Sequence, residues 1–264
     1  MYSFEYKKVS SLEEAQQAFA ASDDGSYLAG GMTLIPTLKQ RLASPSDLID
    51  LGGISDLSGI NLKEGIVSIG ATTCHADVAA SPDVRKAIPA LANLAAQIGD
   101  PQVRNRGTIG GSIANNDPAA DYPAAIVGLD ATVHTSKRSI AAAEFFSGLF
   151  ETALEEGEIV TKVGFPIPEK AVYKKFPNPA SRYAIVGVLV AKTVDGVRVA
   201  VTGAGPCVFR ELAMEEALSS SLAVDAIKDV EVSNNGLNGD IHASPEYRAH
   251  LVEVMTRRAV DEIS

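Results

Sequence analysis

Two short stretches constrain this chain more than any others. Leu28-Ala29-Gly30-Gly31-Met32-Thr33 closes an apolar run, and Gly107-Thr108-Ile109-Gly110-Gly111-Ser112 repeats its paired-glycine-and-hydroxyl character further on. One glycine is enough for a tight turn. Two beside a hydroxyl strip the main chain of side chains, so that something large can lie against it. Successive N–H groups at such a bend can converge on phosphate oxygens, and a helix start adds favourable partial charge. Thr33, Thr108 and Ser112 would add hydroxyl donors. A diphosphate has two phosphates to satisfy, so two cradles is the matching count. Spacing alone leaves open that both stretches are ordinary tight bends.

Other nucleotide and catalytic motifs do not fit. Neither stretch is a P-loop or a G-x-G-x-x-G fingerprint, and Pro206 interrupts Gly203-Ala204-Gly205, the nearest approach. No G-x-S-x-G nucleophile elbow occurs. Cys74 and Cys207, the two cysteines, lack CxxC spacing and are too few for an iron–sulfur cluster. The four histidines are scattered without metal-ligand spacing. The net charge of −10, with no Lys/Arg-rich run, argues against a nucleic-acid binder. No apolar stretch approaches membrane-spanning length, and the first residues lack the apolar core of a secretory signal. The expected location is the cytoplasm.

At 264 residues, the chain predicts two domains. Ser11-Leu12-Glu13-Glu14 is a capping box ahead of an apolar helical face. A strand ending in LAGG, a brief helix in LIPTLKQRL and a buried strand in DLIDL complete a β-α-β-like unit within the first 51 residues. Residues 65–73 alternate as a strand, 88–98 read as a buried helix, DYPAAIVGLDATV as a helix leading into a strand, and 157–168 as a strand ending in a Pro-punctuated link. Beyond that link two strands meet around Val194-Asp195-Gly196, an Asp-Gly hairpin signal. FRELAMEEALSS and PEYRAHLVEVMTRRAVDEI follow as helices, with Tyr247, Leu251, Met255 and Ala259 along one face of the second. The resulting boundaries are 1–167, with subdomains of about 1–56 and 57–167, and 168–264.

AGGMTLIPTLKQRLASPSDLIDL, RNRGTIGGSIANNDPAAD and GEIVTKVGFPIP together resemble the FAD-binding medium subunits of the molybdenum hydroxylases, the carbon-monoxide-dehydrogenase and xanthine-dehydrogenase family. The likeness runs from the first residues to about residue 215. It implies an α+β fold: a two-part FAD-binding domain of the vanillyl-alcohol-oxidase type, then a small C-terminal α+β domain with helices on an antiparallel sheet. It also implies that Ala29, Gly30, Gly31, Met32 and Thr33, with Thr108, Ile109, Gly110, Gly111 and Ser112, wrap the FAD diphosphate. Asp121 would hydrogen-bond cofactor hydroxyls, Ile98 would pack on the cofactor, and Ile159 and Val160 would lie beside the flavin ring. Asn115 stands in a stretch where the family often carries histidine, and it keeps donor and acceptor capacity. Met32 also replaces a frequent histidine and cannot form a histidyl tether, so non-covalent FAD is expected. The implied role is electron transfer from an iron–sulfur subunit through FAD to an external acceptor. Molybdopterin and 2Fe-2S clusters would reside in partner subunits, assembled as a dimer of heterotrimers. The rival readings are a self-contained flavin oxidase or reductase of the same wider fold and a non-catalytic nucleotide-binding module.

Overall fold

The computed structural model describes residues 1–263. Its first layer is a parallel sheet in which Asp47–Asp50 lies between Glu5–Lys8 and Gly25–Leu28. The first of these strands, EYKK, has no alternation that sequence patterning could detect. Helix Leu12–Ala20 crosses between the outer strands, as parallel pairing requires. Its start is capped as expected at one end only: Ser11 Oγ accepts from Glu14 N at 3.1 Å, whereas Glu14 Oε2 reaches past Ser11 to accept from Ser10 N at 2.7 Å. Val9, Ala15, Ile49, Leu51, Ile54 and Leu57 form a small core of their own, completed by Ile159 from the next layer.

The second layer is a five-stranded antiparallel sheet in the order 60–63, 66–70, 160–166, 132–135, 139–141. Helix Pro89–Ala96 starts on a proline, whose missing N–H costs nothing at that position, and buries Leu91, Leu94 and Ala95 fully. A two-stranded hairpin, Phe146–Gly148 with Glu151–Thr152, projects from this layer. Its turn puts Phe150 in the left-handed region at φ +55°, which costs a residue bearing a Cβ about 1–2 kcal/mol.

The third layer is antiparallel, in the order 170–177, 184–193, 196–202, 209–210. Gly196, at φ +123°, makes the expected hairpin turn. Helix Pro245–Ile263 lies on strands 170–177 and 184–193 and buries Leu251, Val252, Met255, Ala259, Val260 and Ile263. Each large one contributes roughly 1.5–3 kcal/mol of burial. Tyr247, expected on that face, stays half exposed and meets Phe176 edge-on, with ring centroids 6.3 Å apart. Helix Tyr122–Gly128 is buried throughout and sits between the second and third layers. A Cβ on Gly128 would lie 2.6 Å from Leu189 Cδ2 and 3.2 Å from Ala200 Cβ, so a larger residue here requires Leu189 to shift. Tyr173, Leu189 and Ala191 of the third layer join the core of the second.

Candidate functional site

A cleft of about 560 Å³ opens where the three layers meet, and both glycine turns line it. The turns touch. A Cβ on Gly30 would fall 2.0 Å from the Arg106 carbonyl oxygen and 2.8 Å from Gly107 Cα. Real Cβ atoms do not approach backbone so closely, so glycine at 30 is dictated by chain lying on chain. Gly31 answers a different demand, φ +71°, and Gly110 a third, because its Cβ would lie 2.7 Å from the Ala71 carbonyl oxygen. Gly111 differs from all three. Its Cβ would meet Thr108 Oγ1 at 3.0 Å and otherwise project toward the cleft, with Ala29 Cβ at 3.8 Å.

The two turns are not equivalent as cradles. In the first, the N–H groups of Gly30, Gly31, Met32 and Thr33 have no acceptor among the described residues. In the second they are taken: Ile109 N donates to Thr73 O at 3.2 Å, Gly110 N to Ala71 O at 2.8 Å, Gly111 N to Thr108 Oγ1 at 3.2 Å and Ser112 N to Thr108 O at 3.0 Å. This corrects the expectation of matching bare amides, because Thr108 caps the helix Ile109–Asn115 instead of leaving its start open. What the second turn offers a ligand is the bare Cα of Gly111 and the Ser112 hydroxyl. Ile109 is the one expected site residue that does not line the cleft; its side chain is fully buried in the core.

The remaining expected residues are brought to the same cleft: Ile98, Asn115, Asp121, Ile159 and Val160. The Ile98 segment is fixed by Arg104, whose Nη1 donates to the carbonyls of Ile98 at 3.1 Å and Gly99 at 3.0 Å. Ile159 exchanges two bonds with Ser136: its N–H reaches Ser136 Oγ at 3.1 Å, and its carbonyl accepts from Ser136 N at 2.7 Å. Tyr27 Oη donates to Gly157 O at 3.2 Å, tying the first layer to this segment. Asp121 is buried, and its carboxylate already holds two partners. Tyr173 Oη donates at 2.5 Å, and Lys175 Nζ lies 2.9 Å away. Burial pushes the Asp121 carboxyl up, against the pull of Lys175 and Tyr173.

Sequence reasoning did not single out His75, Glu158, Arg182 or Tyr183, which line the cleft together with Asp117. Glu158 is anchored by Thr135 Oγ1 at 2.6 Å, Glu155 N at 2.8 Å and Arg138 Nε at 3.2 Å, and a lone Glu in GEIV carries no signal of that. Tyr183 and Arg182 come from the third layer, so only the fold brings them here. Among the described residues, no group of three or more His, Cys, Asp or Glu side chains is placed to hold a metal ion. Among the described residues, no helix is long and apolar enough to cross a membrane.

His75 is buried beneath the second turn, its ring centroid 5.3 Å from that of Tyr122. Burial, with a smaller push from Arg104, lowers its pKa to about 4. The unfolded chain therefore binds a proton near the ordinary value of about 6.5 that the folded chain refuses. Its contribution is fully present above pH 6.5 and is lost as pH falls from there toward 4. The expected loss is on the order of 3 kcal/mol. Urea denaturation across this window should show a flatter profile for His75→Gln than for the parent; identical profiles would refute the assignment.

The fold and cleft together define a class: a layered α+β protein with a groove for an extended dinucleotide between apposed glycine turns. Residues 2–168 match the family described as the FAD binding domain in molybdopterin dehydrogenase, and residues 171–263 match the CO dehydrogenase flavoprotein C-terminal domain. The chain is 35% identical to the glyceraldehyde dehydrogenase medium chain of Sulfolobus acidocaldarius, over 99% of this chain and 98% of that one. It is 33% identical to the carbon monoxide dehydrogenase medium chain of Hydrogenophaga pseudoflava, over 98% and 96%. Among solved structures it superposes on quinoline 2-oxidoreductase from Pseudomonas putida 86 with a TM-score of 0.90 at 30% identity, covering 99% of this chain and 96% of that chain. The chain belongs to the FAD-binding subunits of the molybdenum hydroxylases. It is an oxidoreductase subunit, and its cofactor is FAD.

Proposed function

We propose that this chain is the electron-transfer flavoprotein of a multi-subunit molybdenum hydroxylase. It takes electrons one at a time from a 2Fe-2S subunit, whose own donor is a molybdopterin-binding large subunit, and passes them from FAD to an external acceptor. The three subunits assemble as a dimer of heterotrimers in the cytoplasm. Residues 1–167 hold the cofactor and 168–264 form the second domain. The observation that carries this reading is the contact between the glycine turns, which leaves four unpartnered amides and the bare Gly111 facing one groove.

When bound, FAD supplies the two-electron storage and one-electron exchange that no side chain here could provide. The protein's part is position. The Gly30–Thr33 amides and the Ser112 hydroxyl bind phosphate oxygens, with Ala29 and Thr108 shaping the walls. Asn115 and Asp121 offer hydrogen bonds to the polar linker of the cofactor, Asp121 being held in place by Tyr173 and Lys175. Ile98, Ile159 and Val160 exclude water from the ring. Met32 has no atom able to form the histidyl-type tether, so the FAD is non-covalent.

The test is to purify the chain alone and with its co-expressed partner subunits. The isolated chain should be yellow, should release all its flavin on denaturation, and should oxidise no organic substrate. In the complex, substrate should bleach the flavin absorbance. Turnover of an organic substrate by the isolated chain would overturn the proposal, as would flavin that stays attached after denaturation.

A further inference from the structure

His75 is fixed under the second glycine turn by main-chain bonds. Its own N–H donates to Gly107 O at 3.0 Å, Ile109 N donates to Thr73 O at 3.2 Å, and Gly110 N donates to Ala71 O at 2.8 Å. The turn is thereby stitched along residues 71–75. The imidazole, only 4% exposed, rests against the Tyr122 ring and the bare backbone of Gly107, and it lines the groove.

Neither ring nitrogen has a hydrogen-bond partner among the described residues, yet the two differ. Nδ1 is sealed inside the protein, whereas Nε2 lies at the edge that Gly107 leaves uncovered. A Cβ on Gly107 would sit 2.6 Å from Nε2 and close that edge. A Cβ on Gly30 would sit 2.8 Å from Gly107 Cα, so the same edge lies where the two turns meet. An enclosed polar atom without a partner costs stability that an apolar side chain of similar size would save. A polar ring kept at such a position points to a use.

The charge state agrees. Burial and the nearby Arg104 keep the imidazole neutral at pH 7, and a neutral imidazole carries one N–H. On Nδ1 that proton would face protein with nothing to receive it. On Nε2 it faces the groove. Arg104 itself is turned elsewhere, its Nη1 on the carbonyls of Ile98 and Gly99.

We propose that His75 is a cofactor-binding residue, whose Nε2–H donates to a phosphate oxygen of the FAD diphosphate where the glycine turns meet. This rests on the reading above that the apposed turns hold the diphosphate. It supplies what the second turn lacks. The amides of Ile109, Gly110, Gly111 and Ser112 are already taken, so the free amides of the first turn would otherwise hold the phosphates from one side. His75 adds a donor from beneath the other.

His75→Met removes both nitrogens at similar volume, and His75→Gln returns a terminal N–H. The His75→Met apoprotein should melt at or above the parent apoprotein, because the enclosed orphan is gone. Its affinity for FAD, read by quenching of flavin fluorescence, should nevertheless fall roughly ten- to hundredfold, as for loss of a hydrogen bond to a charged acceptor. His75→Gln should regain most of that loss. A role confined to packing would lower the melting temperature and give Gln no advantage over Met. A second measurement needs no variant to fold. In the histidine-15N-labelled parent, FAD should move the Nε2 resonance of one imidazole, since His134, His242 and His250 do not line the groove. If the parent apoprotein fails to bind FAD, the groove reading itself falls. If it binds, then equal affinity in His75→Met, no recovery in His75→Gln, or an unmoved histidine spectrum overturns the assignment of His75 while that reading stands.

Discussion

Gly111→Val is expected to yield a folded protein without flavin, and Gly30→Val a protein that loses both flavin and fold. The two residues look interchangeable in sequence, but they face different neighbours. At Gly30 the added Cβ would meet the Arg106 carbonyl at 2.0 Å and Gly107 Cα at 2.8 Å, both main-chain atoms that cannot give way. The first layer must then part from the second along the seam that forms the groove. At Gly111 the added Cβ presses only on Thr108 Oγ1, at 3.0 Å, and its methyls enter the space a dinucleotide would occupy. Gly-to-Val within helix Ile109–Asn115 also removes a glycine's excess backbone entropy, which offsets part of the squeeze on the cap. The expected fall in FAD affinity is a hundredfold or more, about 3 kcal/mol. Flavin-to-protein ratio and thermal melting of the apoproteins separate the outcomes. A Gly111→Val protein carrying stoichiometric FAD would refute the groove assignment.

Asp121→Ala is expected to destabilise the fold by about 3–5 kcal/mol, because it strands the ammonium of Lys175 and removes the acceptor of Tyr173. Lys175 has a side chain only 1% exposed, and its other bond is to the Gln97 carbonyl at 3.1 Å. Lys175→Met should cost less. The carboxyl left behind is already pushed up by burial, and once the opposing ammonium is gone it can take a proton and stay neutral. The double variant should regain at least about 1 kcal/mol over the sum of the singles, the coupling expected of a buried pair. Urea denaturation of the four proteins measures this cycle. Strict additivity would mean that the pair does not hold the third layer to the second.

These two cases show which parts of the molecule were legible in the residues alone. The β-α-β unit, the Asp-Gly hairpin and the long C-terminal helix were readable because each is set by local chemistry: paired glycines, a turn dipeptide, a repeat of apolar positions. Strand Lys170–Pro177 was not. KAVYKKFP carries lysine at three of its eight positions, and it becomes a strand by pairing with Ala184–Thr193 and covering the core with Val172 and Tyr173. The cleft was half legible. Its glycines stood out, but the reasons for Gly30 and Gly110 are Arg106 and Ala71, which only the fold brings near. The partnered amides of the second turn were invisible for the same reason. Tyr183 sits in a stretch that reads as an ordinary strand, and His75 lies just past one, in residues given no element.

The first layer is fastened to the rest through the Ile159 side chain in its small core, the Tyr27 bond to Gly157, the bond from Thr72 N to the Leu57 carbonyl, and the apposed backbones of Gly30 and Gly107. A dinucleotide laid along that join would act as mortar, adding cohesion that grows with the logarithm of its free concentration. When flavin is scarce, the empty chain is the one expected to open along that join and to meet proteases first. Flavin supply is then expected to set how many copies of the subunit survive before it sets how fast any of them works.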